Sequence, residues 1–227
     1  MDGVPFTYLL IGLNVVVSLI AFTRMNSAAG EKMFVFSPHE VSKGRNYTGM
    51  VLSHLSHADR GHPQFNRAYT GMVLSHLSHA DGGHLLFNMI TLYFFGPTVE
   101  YGLGVAKMLL IYVVAGVLST IVVYQRHRGD PNYRALGASD SITGILFAAI
   151  VLAPFNSVYF AFIPVPIPAP IFAIAYILLS TYFMQHGRGN ISHEAHLAGA
   201  FTGLILGGLL SPDGFNPLLD RIRYLVS

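Results

Sequence analysis

Four side chains able to do chemistry sit in stretches otherwise built of apolar residues. Ser139 follows Gly137-Ala138 at the start of one run, His196 stands between Ala195 and Gly199 in another, and His84 and Asn88 open a third. Inside membrane-length helices such groups are expensive and usually face the bundle interior, so several of them near helix starts point to a site. His84 and Asn88, at i and i+4, share one face of their helix. His196 lies on a small-residue seam with Gly199, Ala200, Gly203 and Gly207, and a seam of this kind lets a neighbouring backbone come close. That brings His196 within reach of a side chain from the run that Ser139 opens. A serine hydroxyl beside an imidazole base is the pairing used for nucleophilic attack on a carbonyl.

The elements that must position these residues follow from composition. Of 227 residues, 52% are hydrophobic and 11% charged, and the mean hydropathy is +0.52. These are values of a membrane protein, with the lipid bilayer as its solvent. A net charge of +2 and the lack of any Lys/Arg-rich run set nucleic acid aside as a partner. No cysteine is present, so disulfides and thiolate sites are excluded, and with no tryptophan the interfacial anchoring falls to Tyr and Phe. The first apolar run lacks a basic leader and a small-residue cleavage site, and reads as a retained helix.

At roughly 20 apolar residues per span, six candidate spans emerge, at 5–22, 84–103, 106–124, 137–153, 171–185 and 193–210. The fourth and fifth are short, about 23 to 26 Å at 1.5 Å per residue, which leaves room for water. The second, fourth and sixth start on the same side of the membrane, which puts His84, Asn88, Ser139 and His196 at one depth. Between the fourth and fifth, the prolines at 164, 166, 168 and 170 forbid helix and favour an extended connector in the membrane interface. The fold class expected is an all-α polytopic membrane protein.

Residues 23–83 form a long first loop containing an internal repeat: 47–68 reads YTGMVLSHLSHADRGHPQFNRA and 69–90 reads YTGMVLSHLSHADGGHLLFNMI. Two short copies do not make a solenoid. Only the second copy runs into an apolar span, so the first reads as a tandem duplication that lengthens the loop without adding a helix. His54, His57, His62, His76 and His79 have spacings that zinc could use. They are copied by the duplication and no Cys or carboxylate cluster joins them, so neither a metal nor a cofactor is expected.

Gly-Ala-Ser opening the fourth span, Ala-His-Leu-Ala-Gly in the sixth, His-Leu-Leu-Phe-Asn opening the second and the six-span layout together resemble the rhomboid family of intramembrane serine proteases. The resemblance covers about residues 69–210 and implies a six-transmembrane-helix rhomboid-like bundle, one membrane domain over 1–227. It implies Ser139 as nucleophile and His196 as general base, with His84 and Asn88 helping the Ser139 backbone amide to hold the oxyanion. Glu100 matches a structural position in the family. Peptide hydrolysis needs a nucleophile, a base that later protonates the leaving amine, and donors aimed at the oxyanion, and these residues supply all three. A third, orienting carboxylate has no candidate: Asp140 points about 100° around the helix from Ser139 and Glu194 lies on the wrong face of its helix. The expectation is a Ser-His dyad cutting transmembrane protein substrates.

The chain departs from the family pattern at three places. The residue after the serine, usually Gly, is Asp140; an aromatic residue four beyond the serine is replaced by Thr143, which can hydrogen-bond but not stack; and the Trp-Arg pair of the first loop is missing. These departures carry an alternative reading, a catalytically impaired rhomboid-like pseudoprotease that binds transmembrane clients. Singly, Ser139, Gly199 and Gly203 are also ordinary helix-packing residues, His84 and Asn88 could cap or cross-link helices, and His193 reads as an interfacial residue. A transporter is disfavoured because no inverted repeat or paired broken helices appear. The family usually keeps the N-terminus cytoplasmic, yet Arg126, Arg128, Arg134 and Arg188 on one side balance Lys107, Arg221 and Arg223 on the other, and the positive-inside rule does not choose between the two orientations. The compact six-span form resembles prokaryotic members and suggests a bacterial plasma membrane.

Overall fold

A computed structural model describes residues 5–27, 33–43, 74–160, 163–186 and 192–227. The first repeat copy lies outside the described residues, and so do His54, His57, His62 and Arg188. Among the described residues the chain is mostly helical. In order come α1 (Phe6–Arg24), α2 (Pro38–Lys43), α3 (Gly82–Leu103), α4 (Val105–His127), α5 (Ser139–Leu152), β1 (Ser157–Phe160), β2 (Ile163–Pro168), α6 (Ala169–His186), α7 (His193–Leu210) and α8 (Asn216–Val226). Of these, α1 and α4 are long and apolar enough to cross a membrane by length and composition, and α5 is a shorter apolar helix.

The fourth span, expected from residue 137, starts as a helix only at Ser139. Gly137 adopts φ +131°, which no helix contains, and its N–H donates to the Ser75 carbonyl at 2.9 Å. The proline-alternating connector is extended as expected but does more than connect. It is β2, paired antiparallel with β1 in the register Ser157↔Pro168, Val158↔Ile167 and Tyr159↔Pro166. Pro166 and Pro168 alternate with Ile167 along β2 and so turn their nitrogens to the same edge, which leaves the other edge free of proline.

The chain divides into two compact bodies. The first comprises residues 1–11, 87–119 and 139–227. Its centre is α5, buried along its whole length from Asp140 to Val151, as a helix apolar on every side must be. Phe147 and Ile150 of α5 form a core with Val158, Ala169, Ala173 and Ala200. Glu100 is a structural group here. Its carboxylate accepts from the N–H of Phe6 at 2.6 Å and from the N–H and hydroxyl of Thr7 at 2.8 and 2.6 Å. A negative charge thus closes the N-terminus of α1, where helical N–H groups lack partners and the dipole is positive.

The second body comprises residues 12–86 and 120–138. It ties the described parts of the first loop together: Phe36 and Ala135 exchange backbone hydrogen bonds at 2.9 Å, the Ser78 hydroxyl donates to the Phe34 carbonyl at 3.1 Å, and His76 Nε2 meets the Thr120 hydroxyl at 2.7 Å.

Candidate active site

Why Ser139 can meet His196 is decided by glycines. On α7, Gly199, Gly203 and Gly207 recur every fourth residue and so line one face, and on α5 they oppose Asp140, Gly144 and Ala148 at the same interval. A Cβ added at Gly203 would stand 2.8 Å from the Gly144 Cα, and one at Gly207 2.9 Å from the Ala148 Cα. At Gly199 it would run into the Asp140 carbonyl. The two backbones are in contact, and α5 is pressed from another side as well, since a Cβ at Gly144 would lie 2.7 Å from that of Ala115 on α4.

One turn along from Gly199, His196 Nε2 lies 2.7 Å from Ser139 Oγ. Both residues are half-buried. Each is held from behind. The Ser139 carbonyl accepts from the Thr143 hydroxyl at 2.6 Å, and that hydroxyl also meets the Tyr176 hydroxyl of α6 at 3.3 Å. The Tyr176 ring stands edge-on to Phe147 with centroids 5.4 Å apart. On the histidine side, the buried Ser119 hydroxyl of α4 donates to the Ala195 carbonyl at 2.9 Å, and the His193 ring lies edge-on to that of His196 at 6.3 Å.

His193, read from sequence as interfacial, is therefore a packing partner of His196, and its i,i+3 spacing is the available signal. Sequence reasoning misses Ser119 and Tyr176. Ser119, a polar residue in an apolar run, carries the same clue as Ser139, whereas nothing in the sequence joins Tyr176 to residue 143. Ser139 is the first residue of α5, so the turn it opens has N–H groups that no helical carbonyl can reach. One of them, that of Ser141, donates to Asp140 Oδ1 at 2.7 Å. Asp140 itself is 5% exposed.

Asn88 is buried in α3. His84 belongs to the second body, where its own cluster surrounds it. Asp81 caps α3 by accepting from the His84 N–H at 2.8 Å. Gly137 leaves room for the imidazole, since a Cβ there would approach its Cε1 to 2.6 Å. The ring of His79 stands edge-on to it at 5.2 Å. His79 Nδ1 shares a hydrogen bond of 2.8 Å with the Ser18 hydroxyl, and burial, reinforced by His84 and opposed by Asp81, pushes the His79 pKa down to about 4. Among the described residues, no group of three or more His, Cys, Asp or Glu could hold a metal ion.

The Rhomboid domain matches residues 47–213. The chain is 33% identical over 188 residues to "RHOMBOID-like protein 12, mitochondrial" of Arabidopsis thaliana, covering 76% of this chain and 48% of that one. It is 33% identical over 119 residues to "Presenilin-associated rhomboid-like protein, mitochondrial" of Bos taurus, covering 52% of this chain and 32% of that one. With the protein of the same name from Homo sapiens it shares 32% identity over the same length, 52% of this chain and 31% of the other. The chain thus spans from just under a third to about half of the length of these relatives. A domain match over most of the chain, on a helical frame that sets a serine against a histidine, establishes that this membrane protein belongs to the rhomboid family.

Proposed function

We propose that the chain is an intramembrane serine endopeptidase, a single six-span domain that hydrolyses peptide bonds of transmembrane substrates through a Ser139/His196 dyad. The observation that carries this reading is the 2.7 Å approach of His196 Nε2 to Ser139 Oγ. As Oγ attacks the substrate carbonyl carbon, its proton passes to Nε2. The developing oxyanion is met by the N–H groups at the start of α5, where the helix dipole is favourable, with Asn88, in the same body, as a further donor. The protonated His196 then gives its proton to the leaving amine, and water attacking the acyl-enzyme repeats the cycle. No cofactor is needed.

Asp140 favours a second reading, a pseudoprotease that binds transmembrane clients. Its carboxylate lies in the first turn of α5 and already occupies the Ser141 N–H, so it both opposes an oxyanion and consumes a donor. Retention of Ser139 and His196 together supports the enzyme.

The bacterial plasma membrane suggested by the compact form gains no support from the relatives, whose names place them in mitochondria. A mitochondrial membrane is the compartment these likenesses favour. The test is cleavage of single-span substrates with helix-destabilising residues near one end, reconstituted in liposomes. Product is expected from the wild type and none from Ser139→Ala or His196→Ala. Client binding without product from any of the three would favour the pseudoprotease.

A further inference from the structure

We propose that α8 lies in the plane of the membrane surface, with its aliphatic edge in the boundary between lipid headgroups and acyl chains. The inference rests on the six-span reading, in which α7 crosses the bilayer. Helix α8 has 11 residues, NPLLDRIRYLV, about 16 Å of helix at 1.5 Å per residue, far short of a span.

At about 100° per residue, its side chains sort into three faces. Leu218 packs against the α5 core, and the Arg221 guanidinium lies 5.2 Å from both the Phe155 and Tyr224 ring centroids. The Leu218 and Phe155 contacts fix the rotation of the helix against its own body. On the adjoining face Leu219, Ile222 and Val226 are exposed, Val226 by 81%. Next around the helix, Arg223 and Asp220 form an ion pair of 2.9 Å open to solvent, with exposed Tyr224 beyond them. An aliphatic edge between a protein face and a charged face is the pattern of a helix that floats at an interface.

The surroundings name the occupant. Only residues 211–215 separate α7 from α8, with Gly214 at φ +60° making the turn, and the Phe215 ring fills the space that a Cβ on Gly208 would need. The helix is therefore held at the end of α7, whose last turn carries Leu209, 69% exposed. Lys107 Nζ donates to the Leu210 carbonyl at 2.9 Å at the same end, so with Arg221 and Arg223 basic groups gather there, at the level of headgroup phosphates. Three partly exposed aliphatic side chains offer far less than the roughly 800 Å² per partner of a stable protein interface, which leaves lipid as the occupant.

The chain has no cysteine, so single cysteines can report position without background. Leu219→Cys, Ile222→Cys, Val226→Cys, Asp220→Cys, Arg223→Cys and Tyr224→Cys, labelled with an environment-sensitive fluorophore, are to be compared in phosphatidylcholine vesicles with and without phosphatidylglycerol. Val113→Cys on the exposed side of α4 serves as the reference. Lipids spin-labelled near the headgroup should quench positions 219, 222 and 226 several-fold more than 220, 223 and 224, with aqueous iodide giving the reverse order. Iodide reaching all six overturns the proposal. So does protection of 219, 222 and 226 from both quenchers, the sign of a second copy or another protein on that edge. If Val113 is not quenched by lipids labelled deep in the chain, the span reading fails instead.

Discussion

Gly203→Ala tests how much the dyad depends on the contact of α7 with α5. The added methyl would stand 2.8 Å from the Gly144 Cα and closer still to the carbonyl of Gly144, where carbon atoms ordinarily rest about 3.5–4.0 Å apart. The shortfall of about 1 Å is against backbone, which no rotamer change relieves, so the helices must part or bend by about that much. Gly203 lies two turns beyond His196 on the same face, and a separation begun there is carried to the 2.7 Å contact with Ser139. Lengthened by an ångström, that contact is no longer a hydrogen bond. A misplacement of this size costs about 100-fold in rate, and the overpacking costs about 1–3 kcal/mol of stability. The assay is the rate of labelling by a fluorophosphonate in detergent, alongside thermal unfolding. Gly12→Ala is the control, because a Cβ there meets nothing within 4 Å. A Gly203→Ala protein that labels at the wild-type rate with unchanged unfolding would refute the idea that backbone contact sets the dyad.

Glu100→Gln should lower stability by about 1–3 kcal/mol through weakening the cap on α1, read as a fall in unfolding temperature; no change would show that the carboxylate is dispensable. Asp140→Gly removes a buried charge and releases the Ser141 N–H, and labelling should accelerate several-fold toward the roughly 100-fold worth of one oxyanion donor; an unchanged rate would clear Asp140 of blame. His79 has its pKa lowered from 6.5 to about 4, so between those values the unfolded chain takes up the proton first. Its contribution is fully present above pH 6.5 and is lost as pH falls toward 4, by at most about 1.4 kcal/mol per pH unit. The pH profile of unfolding should flatten over that window in His79→Gln, and parallel profiles would contradict the assignment.

Periodicity and polarity write part of this fold locally. The sixth run, 193–210, coincides with α7 because its apolar stretch is bounded by polar residues on both sides. The fourth run reads as starting two residues early, at Gly137, since hydropathy cannot see that φ is +131° there. Three features need a different signal. The β1–β2 pairing is hidden by prolines that bar helix but leave one strand edge intact. Helix α8 escapes a search for membrane-length runs, although its amphipathic spacing is plain in residues 216–226. Of the supports of the dyad, Ser119 carries the clue of a polar residue in an apolar run, whereas Tyr176 acts through a contact between distant residues that no local pattern encodes.

The most direct test of the central claim is fluorophosphonate labelling of the folded, detergent-purified protein beside Ser139→Ala and His196→Ala. The dyad predicts a labelled wild type and no labelling of either variant, each shown to be folded by its unfolding transition. A folded wild type that takes no label, or a Ser139→Ala protein that still does, would contradict it.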